Sequence, residues 1–395
     1  MFNYSSIVPL IGGETIAMQK VFGKRPEYLL SYEGFSNNDK HLIEYYNKEV
    51  PYHLLDNSNP KVGKVDVVNA VCPCAGLSSL SMSSASDSST NDWMKRSAEY
   101  ILENVQPTVM WGENAPRLAS KMGEPTVNRL RNIGKQNGYT FSIFKTKSIL
   151  HGLSQVRDRS FYFFWKGDKV PVFNFIQREH EKIEDLIRSV KRRDDDPMNV
   201  LANSNIPSED PYYKYVLQEL EGGISHSEFQ DTRIERSINP LHYIEDIKGV
   251  KYDQVGKWMK ANGYEKQAAR CQVMYDKLES GMNIMRRGPE IPKDYIGAFV
   301  GHYPTSLTHP DEDRYLTIRE CLSIMKLPED FNLHGGKQNI NHICQNVPVT
   351  TAEDMAKNVK LFLEDNIETI QTDFLVQDNK TQKLEYAQST LEEFL

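Results

Sequence analysis

Residues 4–34, YSSIVPLIGGETIAMQKVFGKRPEYLLSYEG, read as strand, glycine turn, helix and second strand. The apolar run SSIVPLI ends at Gly12 and Gly13, ETIAMQKVF follows with helical character, and Gly23 supplies the stop. EYLLSYE is then a short strand that ends on Glu33. A strand–helix–strand unit of this kind builds doubly wound α/β sheets, which bind ligands at the carboxyl ends of their strands.

The same rhythm continues to residue 170. NNDKHLIEYYNK reads as a helix capped by Asn37 or Asn38, and KVDVVNAVCPC as a β-branched strand running into Pro73 and Cys74. TNDWMKRSAEYILENV and PTVNRLRNIGKQNG are helical, whereas TVMWGEN, YTFSIFKT and RSFYFFWKG are strands. Residues 171–310 break the pattern with the charge run KRRDDD, the turn cluster SNIPSEDP and one long helical stretch over 253–281. They read as an inserted second domain. Residues 311–395 return to amphipathic helices that complete the first domain.

Composition sets the class without naming a substrate. The 395 residues predict two or three folding units, with 39% apolar and 26% charged residues, the balance of a globular enzyme. There is no apolar run long enough to span a membrane, and MFNYSSIVPLIGG lacks the layout of a signal peptide. Five cysteines point to a reducing compartment, so a cytoplasmic protein is expected. Cys271, Cys321 and Cys344 stand alone, so no metal site is expected. The net charge of −7 argues against a chain coated in basic residues but leaves room for a local basic groove.

Three strand-end clusters carry chemistry. Cys74 follows Pro73 at a strand exit and opens a stretch with eight serines between Ser78 and Ser89, a setting suited to a nucleophile. Taken alone, a buried structural cysteine is the commoner outcome. Glu113 follows the strand TVMWG, where it is either a general acid or a solvated strand end. Gln155, Arg157 and Arg159 alternate at the entrance of SFYFFW, which puts both arginines on one face, for phosphate or a base edge or simply for solvent.

In this order the clusters resemble the DNA cytosine-5 methyltransferase family, with its Pro-Cys-Gln, Glu-Asn-Val and Gln-x-Arg-x-Arg motifs. Arg314–Glu320, continuing to Leu327–Phe331, looks like the family's helix after the recognition domain, and Gln345–Val349 like its closing Gly-Asn-x-Val element. The fold implied is a Rossmann-like S-adenosylmethionine-dependent methyltransferase sheet with an inserted target-recognition domain. Glu103-Asn104-Val105 spells the glutamate motif letter for letter but sits late in a helix, so Glu113 is preferred.

The resemblance implies a flipped cytosine attacked at C6 by Cys74, with Glu113 on the ring N3 and amine, and Arg157 and Arg159 on the carbonyl and nearby phosphate. S-adenosylmethionine, released as S-adenosylhomocysteine, is expected against Gly12, Gly13, Glu33, Asp56, Pro73 and Asn346. The expected partner is double-stranded DNA, through Gln155, Ser78 in a closing loop, Arg286 and Arg287, in a bacterial or phage-infected cell. The sequence leaves open whether a cognate restriction nuclease exists. Residues 171–300 hold 19 Lys/Arg against 22 Asp/Glu, but 251–287 hold eight against four. Solvated lysines remain the simpler account of that helical segment. Leu10 replaces the family's first glycine, Ala75 its glutamine and Ala115 its valine, and none of these removes a catalytic group. Alternatives are a tRNA-directed relative and a non-catalytic DNA-binding protein on the same scaffold. A nicotinamide oxidoreductase lacks support because the full Gly-x-Gly-x-x-Gly fingerprint is missing.

Overall fold

The computed structural model describes residues 2–56, 60–73, 75–77, 89–232, 235–301 and 303–386. They form two compact units, 1–180 with 325–334 and 342–395, and 181–324 with 335–341.

The first unit begins with β1 (Tyr4–Ile7), α1 (Gly13–Phe22), β2 (Leu29–Ser31), α2 (Ser36–Tyr45), β3 (Tyr52–Leu54) and β4 (Val67–Ala70). Next come α3 (Asp92–Tyr100), β5 (Val109–Asn114), α4 (Glu124–Gln136), β6 (Tyr139–Lys147), β7 (Asp158–Lys166) and β8 (Lys169–Pro171). Near the C-terminus, helix Val349–Leu363 packs on α1, followed by β9 (Thr369–Gln371), β10 (Phe374–Asp378) and β11 (Lys383–Tyr386).

Nine of these strands make one sheet in the order β11-β10-β6-β7-β5-β4-β1-β2-β3, and β8 pairs with β9 apart from it. β3, β2, β1, β4 and β5 run parallel, so strand order reverses beside β1 and leaves a crevice at the carboxyl ends of β1 and β4. β7 is antiparallel to both β5 and β6, which brings its entrance beside the exit of β5. The near-continuous apolar run SFYFFW follows from burial on both faces: residues 161–165 are all fully buried, Phe163 stacks on Trp111 and Trp165, and Phe173 meets it edge-on.

Several sequence expectations change here. α2 starts at Ser36 with Phe35 at the cap position, so Asn37 and Asn38 lie inside the helix. The expected long helix over 253–281 is two helices, Tyr252–Ala261 and Glu265–Glu279, because Gly263 turns left-handed at φ 80°.

Residues 311–324 belong to the second unit rather than to the returning first domain. Arg319 pairs with Asp196, Arg188 with Asp311, and Leu201 bridges Thr317, all within that unit. Its own core gathers Tyr213, Phe229, Leu241, Tyr252, Val255 and Met259. The RYLTIRE motif is legible as a helix start. Thr317 and Glu320 bond reciprocally side chain to backbone, and Arg314 grips both Glu320 oxygens at 2.8 and 2.9 Å.

Candidate active site

The turn after β1 approaches the C-terminal segment closely. Gly12 takes φ 96°, and the Gly13 N–H donates to Asn346 Oδ1 at 2.7 Å. A Cβ on Gly13 would collide with the Val347 carbonyl oxygen and the Asn346 side chain, so only glycine fits. Asn346 is fully buried, and its Nδ2 has no hydrogen-bond partner among the described residues. Its carbonyl oxygen accepts from Arg157 Nη2 at 3.1 Å, and the same nitrogen donates to the Cys344 carbonyl at 3.0 Å. Asn346 thus joins the glycine turn to the arginine motif.

Arg157 precedes β7, is 2% exposed, and donates through Nη2 to the backbone carbonyls of residues 344 and 346. Arg159 behaves differently. It lies within β7 and its Nε pairs with Glu113 Oε1 at the exit of β5. Glu113 faces Phe161 across the ladder, so Arg159, two residues before Phe161, reaches it on the diagonal. Glu113 is 3% exposed, whereas Glu103 is exposed on the π-helical segment Ile101–Val105 that extends α3. Asn114, beside Glu113, keeps a buried Nδ2 without a partner among the described residues.

At the exit of β2, Glu33 is exposed and its N–H donates to Asp56 Oδ2 at 2.5 Å, so Asp56 fixes the turn that presents Glu33. The Tyr32 ring lies tilted against Trp93 with centroids 4.7 Å apart, and Arg96 lies 4.8 Å from the Trp93 ring centre. Gln155 is buried, with Nε2 3.6 Å from Met325 Sδ. In the second unit, Arg286 is held by Glu245 at 2.6 Å, while Arg287 is exposed.

Pro73 is half-buried, and Cys74 and Ser78 lie outside the described residues, as does the rest of the stretch 78–88. Cys72 is described: it is 2% exposed, beside Ser97, and burial pushes its thiol up to about 12.

Two groups escaped sequence reasoning. Glu14 is fully buried, and burial together with the charge of Glu113 holds its carboxyl well above the usual range. Its one readable signal is its position directly after Gly12-Gly13. Asp39 accepts from Leu10 and Tyr52; an aspartate near a helix start reads from sequence as an ordinary first-turn residue.

These features suit S-adenosylmethionine: a left-handed glycine turn, a buried amide nitrogen without a partner among the described residues, and an exposed carboxylate at the next strand end. Among the described residues, no group of three or more His, Cys, Asp or Glu is arranged to hold a metal ion, and no helix is long and apolar enough to cross a membrane.

The sheet order and the strand-end site define a methyltransferase of the Rossmann-like class. Residues 3–361 match the model of the C-5 cytosine-specific DNA methylase family, and the chain belongs to that family. It is similar to the Type II methyltransferase M.MthTI of Methanothermobacter thermautotrophicus, 23% identical over 270 residues, covering 67% of this chain and 69% of that protein. Its fold resembles a crystal structure assigned as a DNA modification methyltransferase encoded within a prophage of E. coli, with TM-score 0.56, 15% identity, and 92% and 100% of the two chains covered. It also resembles the Entamoeba histolytica methyltransferase EhMeth, with TM-score 0.52, 11% identity, and 92% and 99% covered. Membership implies methyl transfer from S-adenosylmethionine to C5 of cytosine.

Proposed function

We propose that the protein methylates cytosine in double-stranded DNA through a covalent adduct of Cys74 with a base flipped out of the stack. The observation that carries this reading is the buried Glu113–Arg159 pair at the sheet's carboxyl edge, next to the strand that leads into Pro73-Cys74. In a duplex the face of C6 is inaccessible, so the base must leave the stack. The Cys74 thiolate adds to C6, and the displaced π electrons make C5 nucleophilic. Glu113, oriented by Arg159, holds N3 and the exocyclic amine and stabilises charge that develops on the ring. S-adenosylmethionine supplies an electrophilic methyl group. Loss of the C5 proton to a base then restores the C5–C6 double bond and expels the thiolate.

Gly12, Gly13, Glu33, Asp56, Pro73 and Asn346 hold the cofactor. Arg157 keeps Asn346 in place, and Arg159 meets the substrate. Ser78, Gln155 and Arg287 serve the nucleic-acid side, with Arg286 oriented by Glu245. The similarity to M.MthTI supports a DNA substrate and a restriction–modification setting in the cytoplasm. The test is methylation of unmodified genomic DNA followed by base-resolution mapping of 5-methylcytosine. Methylation at one recurring sequence is expected; methylated transfer RNA with unmodified DNA would overturn the substrate.

A further inference from the structure

The turn that follows β1 contains two left-handed residues that are not glycine: Val8 at φ 50° and Leu10 at φ 51°, on either side of Pro9. For side chains with this branching the left-handed region is unfavourable, and for a β-branched valine it is rare. Leu10 stands where glycine would adopt that geometry freely. Something outside the turn must therefore hold it.

The structure supplies that support from α2 and β3. The Leu10 N–H donates to Asp39 Oδ1 at 3.0 Å, and Tyr52 Oη donates to Asp39 Oδ2 at 2.8 Å, so both carboxylate oxygens are engaged. Asp39 is fully buried in the first turn of α2. Leu42, three residues on and on the same helix face, lies directly against Gly12. Within the turn, Val8 N–H bonds the Leu30 carbonyl at 2.8 Å and Gly12 N–H the Pro9 carbonyl at 2.9 Å. Among these, Asp39 is the side chain that reaches Leu10.

We propose that Asp39, oriented by Tyr52, is a positioning residue that holds the Val8–Gly13 turn in its cofactor-binding shape, doing through a side chain what a glycine at position 10 would do through backbone freedom. This rests on the reading of that turn as the S-adenosylmethionine site. A buried aspartate that merely stabilised α2 would be indifferent to the residue at position 10.

The experiment is calorimetric titration of S-adenosylmethionine into the full chain and five variants, with melting curves and steady-state methylation alongside. Asp39→Ala should weaken cofactor binding about tenfold, the scale of one left-handed non-glycine residue. It should raise KM for the cofactor while leaving kcat at saturation near wild type. Asp39→Asn keeps an acceptor oxygen for Leu10 and should stay within about threefold of wild type. Adding Leu10→Gly to Asp39→Ala should restore binding to within about threefold. If Asp39→Ala does not fold, Tyr52→Phe carries the test: a severalfold loss, again relieved by Leu10→Gly. Wild-type affinity in Asp39→Ala, or no recovery in a folded Asp39→Ala/Leu10→Gly variant, overturns the proposal while the cofactor reading stands. No binding by the wild-type protein removes the cofactor reading, and the proposal with it.

Discussion

Replacing Arg157 with Met separates the two arginines of the Gln-x-Arg-x-Arg element. The guanidinium makes hydrogen bonds of 3.0 and 3.1 Å to the carbonyls of Cys344 and Asn346, in a site 2% exposed. Methionine fills much of the volume but donates nothing, so two buried carbonyls lose charge-assisted partners. At about 1.5–3 kcal/mol for each such bond, the expected loss is about 3–6 kcal/mol. For a unit of this size, roughly 2–4 °C per kcal/mol puts the fall in Tm at about 10 °C. Because Asn346 also receives the Gly13 N–H, cofactor affinity should fall with stability. Arg159→Met should do the opposite. Its side chain is 11% exposed and contacts Glu113, so cofactor affinity should hold while kcat drops. Melting curves, cofactor titration and single-turnover methylation resolve the pattern. An Arg157→Met protein with wild-type Tm and cofactor affinity, but no turnover, would show that Arg157 acts on the base and refute the bracing role.

Three further outcomes follow. Cys74→Ala should abolish methyl transfer with cofactor binding retained, whereas Cys72→Ala, at a buried thiol pushed up to about 12, should remain active in the same assay. Glu113→Gln should lower turnover by roughly 10²-fold or more while Glu103→Gln stays near wild type; the reverse order in steady-state kinetics would relocate the glutamate. Burial pushes the Asp39 carboxyl up to about 7 from an ordinary 3.8. Between those values the unfolded chain is ionised while the folded one keeps its proton, so this group's stabilising contribution is full below pH 4 and is lost as pH rises through 7. Urea unfolding at pH 4.5 and 8 should show Asp39→Asn gaining on wild type by up to about 3 kcal/mol at the higher pH, and equal gaps at both would contradict it.

The first unit was legible where local signals agree with the final fold. The apolar run into Gly12-Gly13, the Gly23 stop and the SFYFFW strand all reflect sheet burial, which sequence records directly. β10 and β11 were missed because β10 gains strand character by pairing with β6, more than 220 residues earlier, and β11 only by pairing with β10. The boundary near 311 was misplaced because ion pairs distant in sequence, Arg319 with Asp196 and Arg188 with Asp311, decide it. The position of Glu113 at a strand exit was legible. The contacts of Arg157 were not, since these acceptors arrive from residues 344 and 346. Asp39 was hidden for the same reason: its meaning depends on the backbone angle at Leu10.

The most direct test of the central claim is covalent trapping on 5-fluorocytosine. Fluorine at C5 cannot leave as a proton, so an enzyme that has added Cys74 to C6 and delivered its methyl group stays bound. With S-adenosylmethionine present, a target duplex containing 5-fluorocytosine should give a band of higher mass on a denaturing gel, absent in Cys74→Ala and absent with RNA of the same sequence. A band formed with transfer RNA but with no cytosine-bearing duplex would contradict the DNA substrate, and a band that survives in Cys74→Ala would contradict the nucleophile.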